Sequence, residues 1–451
     1  MPDEPQRPTQ PRTPSPIPSP PSAVSTEIPA GSGPAAAPAP LPAAVLPAAP
    51  LPPASSPWRT RLLVAGLVLA ALNLRPAITS LGSLLEEVRV GLHMSGSVAG
   101  VLTSVPPLCF AVFGFAAPRL ARRFGPGAVV LAGMAAITVG LALRPLAGGT
   151  ALFLVASACA LMGIAVSNVL MPVIVKRYFP DRVGTMTGLY SMALALGTAG
   201  AAAVTVPMTR ALGGWRPGLG IWAVLAAVAV LPWLGLMRER GTGPGSAAPS
   251  AAPSGLLLRR SRTAWALACF FGLQATGAYI TMGWMPQIFR DAGVSAGTAG
   301  LLLALTMVMG VPLAFVIPRV AARMSNQAPI VLFLGLCGLT AYAGLYFAPA
   351  GGAWLWALLL GVSNCAFPLA LTMIGMRSRT GAGVVRLSAF AQSTGYLISI
   401  PGPLLVGVLY QHTGGWGLPI ALMAGFLVPQ MLAGTVAGRD RTIEDETRVR
   451  D

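Results

Sequence analysis

Charged residues are scarce in this 451-residue chain, and acidic residues most of all. Only 10% of the residues are charged, with thirteen Asp and Glu against 30 Lys and Arg. Soluble domains carry about 25% charged residues, so a fully water-exposed surface is excluded. The net charge of +17 does not indicate a nucleic-acid partner, because the basic residues form short clusters between apolar runs and not one basic face.

Paired cysteines and catalytic motifs are also missing. The five cysteines all lie inside apolar runs and form no C-x-x-C pair, so neither a disulfide nor a metal site is expected. The chain has no H-E-x-x-H, no G-x-x-x-x-G-K-[ST] and no G-x-S-x-G motif. We therefore predict a protein that is not an enzyme and that has no cofactor.

Long apolar runs are what the sequence has in abundance. Each is long enough to cross about 30 Å of hydrocarbon as a helix. They predict twelve transmembrane spans, numbered 1 to 12, at roughly 61–84, 98–118, 127–146, 151–174, 184–207, 217–237, 263–285, 298–318, 328–348, 353–376, 385–409 and 417–437.

Polar intervals divide these spans into two sets of six. Residues 1–57 hold 19 prolines and no aromatic residue, which predicts a disordered Pro/Ala-rich tail and not a signal peptide. The Gly/Pro/Ser-rich segment 238–262 reads as a linker. The expected organisation is a six-helix half over 58–237, this linker, a second half over 263–437 and a charged tail over 438–451.

The basic residues predict the orientation in the membrane. With the N-terminus inside, the inner connections hold sixteen Lys and Arg. The outer connections hold five, namely Arg89, Arg144, Arg210, Arg216 and Arg290. This bias predicts a multi-pass protein of the cell membrane with both termini in the cytoplasm.

Two internal repeats support the division into halves. The string P-R-[LV]-A-x-R occurs at 118–123 and again at 318–323, and S-N-x-x-x-P occurs at 167–172 and at 363–368. Parallel repeats of this kind are typical of the two halves of major-facilitator transporters, which bind their solute between the halves near the membrane midplane. The predicted fold is an all-α membrane protein of the major-facilitator type, with twelve transmembrane helices in two pseudo-symmetric six-helix halves.

Basic loops follow spans 2 and 8. In major-facilitator proteins the first of these loops resembles G-x-L-A-D-R-F-G, whereas here Arg122 takes the place of the Asp. One interpretation is that the loops limit the rocking of the halves, with Asp181 or Glu239 as possible acidic partners. The other is that they serve orientation alone. The candidate gating residues are Arg119, Arg122, Arg123, Arg319 and Arg323.

Arg75 is the most informative single residue. It lies near the middle of span 1, where an arginine costs roughly 2.5–3.5 kcal/mol on insertion scales. Its guanidinium could bind an anionic or strongly polar solute, or it could pair with carbonyls freed by Pro76. Thr79 lies one turn further on the same face, and Asn73 lies on an adjacent face.

Other polar residues in the spans are further candidates for the solute pocket. They are Asn168, Tyr190, Gln274, Asn364, Gln392 and Tyr396. The last two belong to a stripe along span 11 with Ser388 and Ser399, and Asn168 and Asn364 each precede a proline by four residues. Contacts between helices or a helix kink would explain them equally well. Trp284 is expected to anchor the protein at a membrane surface.

No Asp or Glu is expected at membrane depth, because all thirteen fall in tails, connections or span ends. Exporters of cationic drugs usually bind the cation with a buried carboxylate, so the solute is expected to be anionic or neutral. A coupling ion such as the proton remains unidentified by the sequence.

Three segments resemble the cyanate permease and 2-nitroimidazole transporter group of the major facilitator superfamily. Residues 73–80 read N-L-R-P-A-I-T-S, residues 117–125 read A-P-R-L-A-R-R-F-G, and residues 387–396 read L-S-A-F-A-Q-S-T-G-Y, followed by G-P-L-L at 402–405. The resemblance covers about 61–437. It implies secondary transport of a small anion or small nitrogen heterocycle by alternating access, by a protein expected to be monomeric. The alternative is a multidrug or metabolite exporter with an apolar pocket, in which Arg75 is structural.

Overall fold

The computed structural model describes residues 57–238 and 258–447. Within them, two short 3-10 helices cover Pro180–Arg182 and Leu258–Arg260. The α-helices are α1 Pro57–Asn73, α2 Pro76–Ser83, α3 Leu85–Gly91, α4 Gly96–Phe124, α5 Pro126–Leu143, α6 Thr150–Tyr178, α7 Val183–Ala211, α8 Trp215–Arg238, α9 Arg262–Asp291, α10 Ala296–Val308, α11 Gly310–Ala322, α12 Ala328–Phe347, α13 Ala353–Asn364, α14 Ala366–Met376, α15 Gly381–Ser399, α16 Pro401–Thr413, α17 Gly417–Ala437 and α18 Ile443–Thr447. Nearly all of the predicted tail 1–57 and most of the linker 238–262 lie outside the described residues.

Twelve stretches of the described chain are long and apolar enough to cross a membrane, and they confirm the twelve predicted spans. Eight spans are single helices. Spans 1, 8, 10 and 11 are each divided into two helices, at Arg75, Met309, Cys365 and Ile400. Only span 1 is broken among the first six, so the two halves differ in where their helices are interrupted.

The first internal repeat is visible in how two helices begin. Ser95 caps α4 by accepting a hydrogen bond from the Val98 amide, and Ser295 caps α10 by accepting one from the Thr298 amide. A serine at this position satisfies an amide that has no partner within the helix. The equivalent spans 2 and 8 therefore start alike, 200 residues apart.

The two ends of the helical bundle differ in charge. We call one of them the basic end, because the exposed arginines Arg119, Arg122, Arg123, Arg319 and Arg323 lie there. Its connections are at residues 125, 179–182, 323–327 and 377–380. The opposite end carries the connections at 84–95, 144–149, 212–214, 292–295, 348–352 and 414–416.

The halves join at the opposite end through glycines. A Cβ on Gly82 of span 1 would lie 1.8 Å from the carbonyl oxygen of Met282 in span 7, and one on Gly100 would lie 2.9 Å from the carbonyl oxygen of Leu404 in span 11. Small residues permit such close backbone packing between membrane helices. The Arg290 guanidinium also donates to Glu87 across the halves at 2.8 Å.

The halves separate towards the basic end. The α10 half of span 8 packs along α7, whereas the α11 half, nearer the basic end, barely touches it. A Cβ added to Gly188 of α7 or Gly310 of α11 would meet no atom within 4 Å. Spans 5 and 8 thus part towards the basic end, whereas the α15 half of span 11 still packs against α4.

The charged tail predicted from residue 438 folds back onto the second half. Glu446 of α18 accepts hydrogen bonds from the Ser261 hydroxyl and from the amide and hydroxyl of Thr263, at the start of α9. Beside it, the buried Arg377 side chain donates to Gln327 and to the carbonyl oxygens of Ala437 and Gly438. These contacts tie the basic ends of spans 7, 9, 10 and 12 together.

Candidate functional site

Arg75 lies where span 1 is interrupted. Its backbone angles (φ −130°, ψ −27°) are not helical, and Pro76 begins α2 in the first-turn position that proline favours. The Arg75 carbonyl accepts the Ile78 and Thr79 amides, at 2.9 and 3.2 Å, so the new helix starts from this residue. The break is thus a local consequence of the Arg-Pro sequence.

The Arg75 side chain lies among aromatic side chains, and it interacts with the Tyr279 hydroxyl through a side-chain hydrogen bond. Its guanidinium carbon lies 5.8 Å from the centre of the Phe110 ring, within the range of a cation–π interaction. Its Nη1 atom is buried and has no hydrogen-bond partner. Arg75 therefore keeps an unused donor beside the interface between the halves.

Three aromatic side chains lie beside Arg75 and a fourth packs on one of them; we call them the aromatic cluster: Phe110, Tyr279, Tyr396 and, packed on Tyr396, Phe271. The Phe110 and Tyr396 rings are stacked with centres 5.1 Å apart, and Phe271 meets Tyr396 edge-on at 5.2 Å. Tyr279 lies 6.4 Å from Phe110, and Arg75 is close enough to Tyr279 and Tyr396 to act on both electrostatically. Since these rings come from spans 2, 7 and 11, both halves contribute to the site.

Thr79 and Asn73, the nearest predicted partners of Arg75, are occupied elsewhere. The fully buried Thr79 hydroxyl donates to the Arg75 carbonyl at 3.3 Å. The Asn73 amide donates to the carbonyls of Leu69 and Leu225, which ties span 1 to span 6. The Asn73 side-chain oxygen is buried without a partner.

Gln274 and Asn364 meet in a separate place, inside the second half. The Gln274 amide donates to the Asn364 carbonyl at 3.4 Å, where α13 ends. Both residues line a small cavity together with Tyr342 and Gln430. The volume of this cavity is about 20 Å³. The structure thus pairs two predicted residues but does not join them to Arg75.

The remaining candidates are half-buried along the spans. Gln392 donates to Ser388, another residue of the polar stripe, within its own helix at 2.6 Å and not to another helix. Asn168 lies on α6, and Tyr190 packs against the apolar core from α7. Of the predicted residues, Tyr396 is the one that the structure groups with Arg75.

The predicted gating arginines all lie exposed at the basic end. Arg123 lies over the Phe124 ring, and Arg319 donates to the Phe315 carbonyl within its own helix. Asp181 is exposed, and Glu239 falls outside the described residues. A latch between these loops and an acid therefore stays a prediction.

Two expectations about polar residues at the opposite end are wrong. Trp284 does not face a membrane surface: it is 1% exposed, and its indole N–H donates to Thr103 of the other half at 3.1 Å. Arg144, counted among the arginines of the outer connections, turns its side chain inward and is 0% exposed. The apolar sequence around both residues offered no signal of these long-range partners.

The sequence matches a known family over most of its length. Residues 62–385 match the family described as the Major Facilitator Superfamily. An uncharacterised transporter, YycB, of Bacillus subtilis is 35% identical over 86% of this chain and 96% of its own length. The 2-nitroimidazole transporter of Escherichia coli is 32% identical over 85% of this chain and 96% of its own. The cyanate transport protein CynX of E. coli is 30% identical over 81% and 94%.

Solved structures share the fold at low sequence identity. A bacterial homologue of the human lysosomal transporter Spinster superposes with a TM-score of 0.66 at 16% identity, over 88% of this chain and all of its own. The xylose transporter XylE of E. coli gives 0.65 at 12% identity, over 85% of this chain and 98% of its own. The likeness extends through both six-helix halves.

Proposed function

The chain belongs to the major facilitator superfamily and is a transporter, and from that premise we propose that it is a secondary active carrier of a small anionic or polar solute. The solute class is a cyanate-like anion or a small nitrogen heterocycle. Alternating access of the two halves moves it, and the basic end faces the cytoplasm in the cell membrane.

Arg75 is the observation that carries this proposal. It is a cation beside the interface of the halves, and its buried Nη1 has no partner. A guanidinium keeps its charge in proteins and presents planar donors that suit carboxylates and similar anions. An anionic or acceptor-bearing solute would supply the partner that the described residues do not give to Nη1.

The distribution of acids favours the same class of solute. All thirteen acids of the chain lie in tails, connections or span ends. The described ones nearest to the opposite end are engaged there, since Glu86 pairs with Arg89 and Asp291 accepts from Tyr410 and Trp416. A cationic solute would find no carboxylate beside Arg75. Two relatives of this chain are named for cyanate and 2-nitroimidazole transport.

The shape of the interface supports alternating access. The halves touch at the opposite end and part towards the basic end, so the solute would reach Arg75 from the basic end in this state. Rocking of the halves would then break the glycine contacts and the ion pair between Glu87 and Arg290.

Transport assays with Arg75 variants test the proposal. Purified protein in liposomes would be supplied with cyanate, nitrate, carboxylates and nitro- or aminoimidazoles. Losing a charged hydrogen bond to the solute lowers binding by about tenfold or more. We expect Arg75→Gln to lose uptake of whichever solute the wild type transports. Arg75→Lys retains the positive charge but not the planar pair of donors of the guanidinium, so it should retain part of the uptake.

Arg210 supplies the matched control. It is an exposed arginine at the end of α7, so Arg210→Gln removes one charge without touching the site and should transport normally. Normal uptake by Arg75→Gln would refute the role of Arg75.

The aromatic cluster favours one alternative, an exporter of apolar compounds in which Arg75 only stacks on Phe110. Four rings around one position offer a large apolar contact surface. Under this alternative, a strain lacking the protein becomes sensitive to several unrelated apolar drugs, and Arg75→Gln still protects it. The anion carrier predicts neither result.

A further inference from the structure

Arg144 is a charged side chain fully enclosed by the protein. It follows α5 directly and is 0% exposed. Its Nε donates to the Ser157 hydroxyl at 2.9 Å, and its Nη1 donates to the Ala77 carbonyl at 2.8 Å. Its guanidinium carbon lies 5.7 Å from the centre of the Phe153 ring. These contacts hold the group rigidly between spans 1, 3 and 4.

The charge of Arg144 is not neutralised by the described part of the chain. Its partners are a hydroxyl and a carbonyl, which satisfy donors but carry no negative charge. Within residues 57–238 and 258–447, no carboxylate acts on it electrostatically. A buried guanidinium stays protonated, and a buried charge without a counter-charge is strongly destabilising. A counter-ion would relieve this cost.

One nitrogen of Arg144 remains available for such an ion. Its Nη2 atom is buried and has no hydrogen-bond partner. Arg144 lines a small cavity with Ala77, Gly82, Thr103, Tyr279 and Gly283. Arg144 therefore lies at the edge of this cavity, but its side chain has no surface exposed to the cavity in this state. A small movement of the lining side chains would bring Nη2 into contact with an ion there.

The size of the cavity limits what it can hold. The volume of the cavity is about 10 Å³, which is about the least that one water molecule requires. Chloride is larger than water, so its binding requires the lining side chains to move slightly apart. Sulfate and carboxylates are too large.

Both halves enclose the cavity. Ala77, Thr103 and Arg144 belong to the first half, whereas Tyr279 and Gly283 belong to span 7 of the second. The lining residues of α2 run from Ala77 to Gly82, so the cavity lies beyond Arg75 in the direction of the opposite end. Tyr279 lines it and also lies beside Arg75.

We propose that Arg144 binds one small monovalent anion, of which chloride is the simplest, in this cavity between the halves. The anion neutralises Arg144 and is enclosed while the halves are joined at the opposite end. The anion enters or leaves the cavity when the two halves separate at the opposite end. This site is distinct from Arg75 and does not depend on which solute is transported.

Chloride-dependent stability tests the proposal on the purified full-length protein. The unfolding temperature is measured at constant ionic strength as chloride replaces gluconate, which is too large for the cavity. A ligand that binds only the folded state raises stability in a saturable way. We expect such a rise for wild type and for the exposed control Arg210→Gln.

Arg144→Gln should lose the saturable rise, with an apparent chloride affinity reduced by about tenfold or more, as for a lost charged hydrogen bond. Arg144→Lys keeps the charge and should keep a weaker chloride effect, so it answers the question if the glutamine variant does not fold. Two results would overturn the proposal: no chloride effect in wild type, which means that the cavity holds water alone, or the same effect in wild type and both Arg144 variants. Neither result bears on Arg75, whose role is measured by uptake.

Discussion

Arg75 and Arg144 show how the same residue type takes different roles in one membrane protein. Arg75 interrupts span 1 and stacks on Phe110, and its environment is shared by both halves. Arg144 enters from a connection and holds the carbonyl of Ala77, two residues after Arg75. Neither has a carboxylate partner among the described residues, so both are positioned to attract anions. The region around the start of α2 is consequently positive.

The aromatic cluster should distinguish flat heterocycles from linear anions. Tyr396 stacks on Phe110 next to Arg75, and aromatic pairs contribute about 0.5–1.5 kcal/mol beyond the area that they bury. We expect Tyr396→Leu to raise the KM for a nitroimidazole by roughly three- to tenfold, while the KM for cyanate changes little.

Tyr346→Leu is the control, because Tyr346 is 53% exposed and away from the cluster. Equal effects of Tyr396→Leu on both solutes would contradict a stacking role. The comparison requires both solutes to be carried by wild type.

At the scale of elements, glycine positions decide how closely helices of the two halves approach. The backbones of spans 1 and 7 meet at Gly82 and Met282, and those of spans 2 and 11 meet at Gly100 and Leu404. In lipid, such packing and not the hydrophobic effect drives helix association. Each contact can form only while the opposite end is closed.

Gly82→Ala should therefore oppose closure of the opposite end. Its new methyl group would lie 1.8 Å from the Met282 carbonyl oxygen, so the two helices must move apart. We expect slower transport and a lower unfolding temperature, measured by uptake and by thermal denaturation. Gly114→Ala on span 2 meets no atom within 4 Å and should behave as wild type; equal behaviour of the two variants would argue against the contact.

The short helix α18 makes the second half sensitive to acid. Burial alone would raise the pKa of Glu446, but hydrogen bonds from Ser261 and Thr263 outweigh it and lower the pKa below its usual value. The pKa of Glu444 is lowered in the same way by Ser378 and by nearby backbone amides. Their contribution to stability is full above the usual carboxyl pKa of about 4.3 and is lost as the pH falls through the lower folded values.

Glu446→Gln should remove part of this acid dependence. It replaces the charged carboxylate of α18 that accepts hydrogen bonds from the start of α9. We therefore expect a lower unfolding temperature at pH 7 and a smaller further decrease of that temperature on acidification. Asp181→Asn, at an exposed position, should leave both unchanged. Thermal denaturation from pH 7 to about pH 3 provides the measurement, and a parallel acid profile for wild type and Glu446→Gln would count against the role of the carboxylate.

At the scale of the whole molecule, the arginines predict which end faces the cytoplasm. Arg144 is buried, so the outer connections hold four arginines with side chains outside the core, not the five counted from sequence. The bias towards the basic end becomes stronger as a result.

Reporter fusions should confirm this orientation. A fluorescent protein that matures only in the cytoplasm, fused after residue 451, is expected to be bright. Fused in the connection at 348–352, it is expected to be dark. The reverse pattern would invert the proposed orientation and would make this state open to the outside.

The sequence by itself determined the twelve spans and their division into halves, whereas it predicted span 1 as one continuous helix and the structure divides it at Arg75. Apolar length and repeats act through neighbours along the chain, so they can be read locally. The sequence also singled out Arg75 and Tyr396, because polar groups in apolar spans are conspicuous. It could not show that Arg144 and Trp284 turn inward, nor that Phe110 and Tyr279 lie beside Arg75. Their partners lie tens to hundreds of residues away, and only the packing of the helices decided which of many similar apolar or aromatic residues would meet.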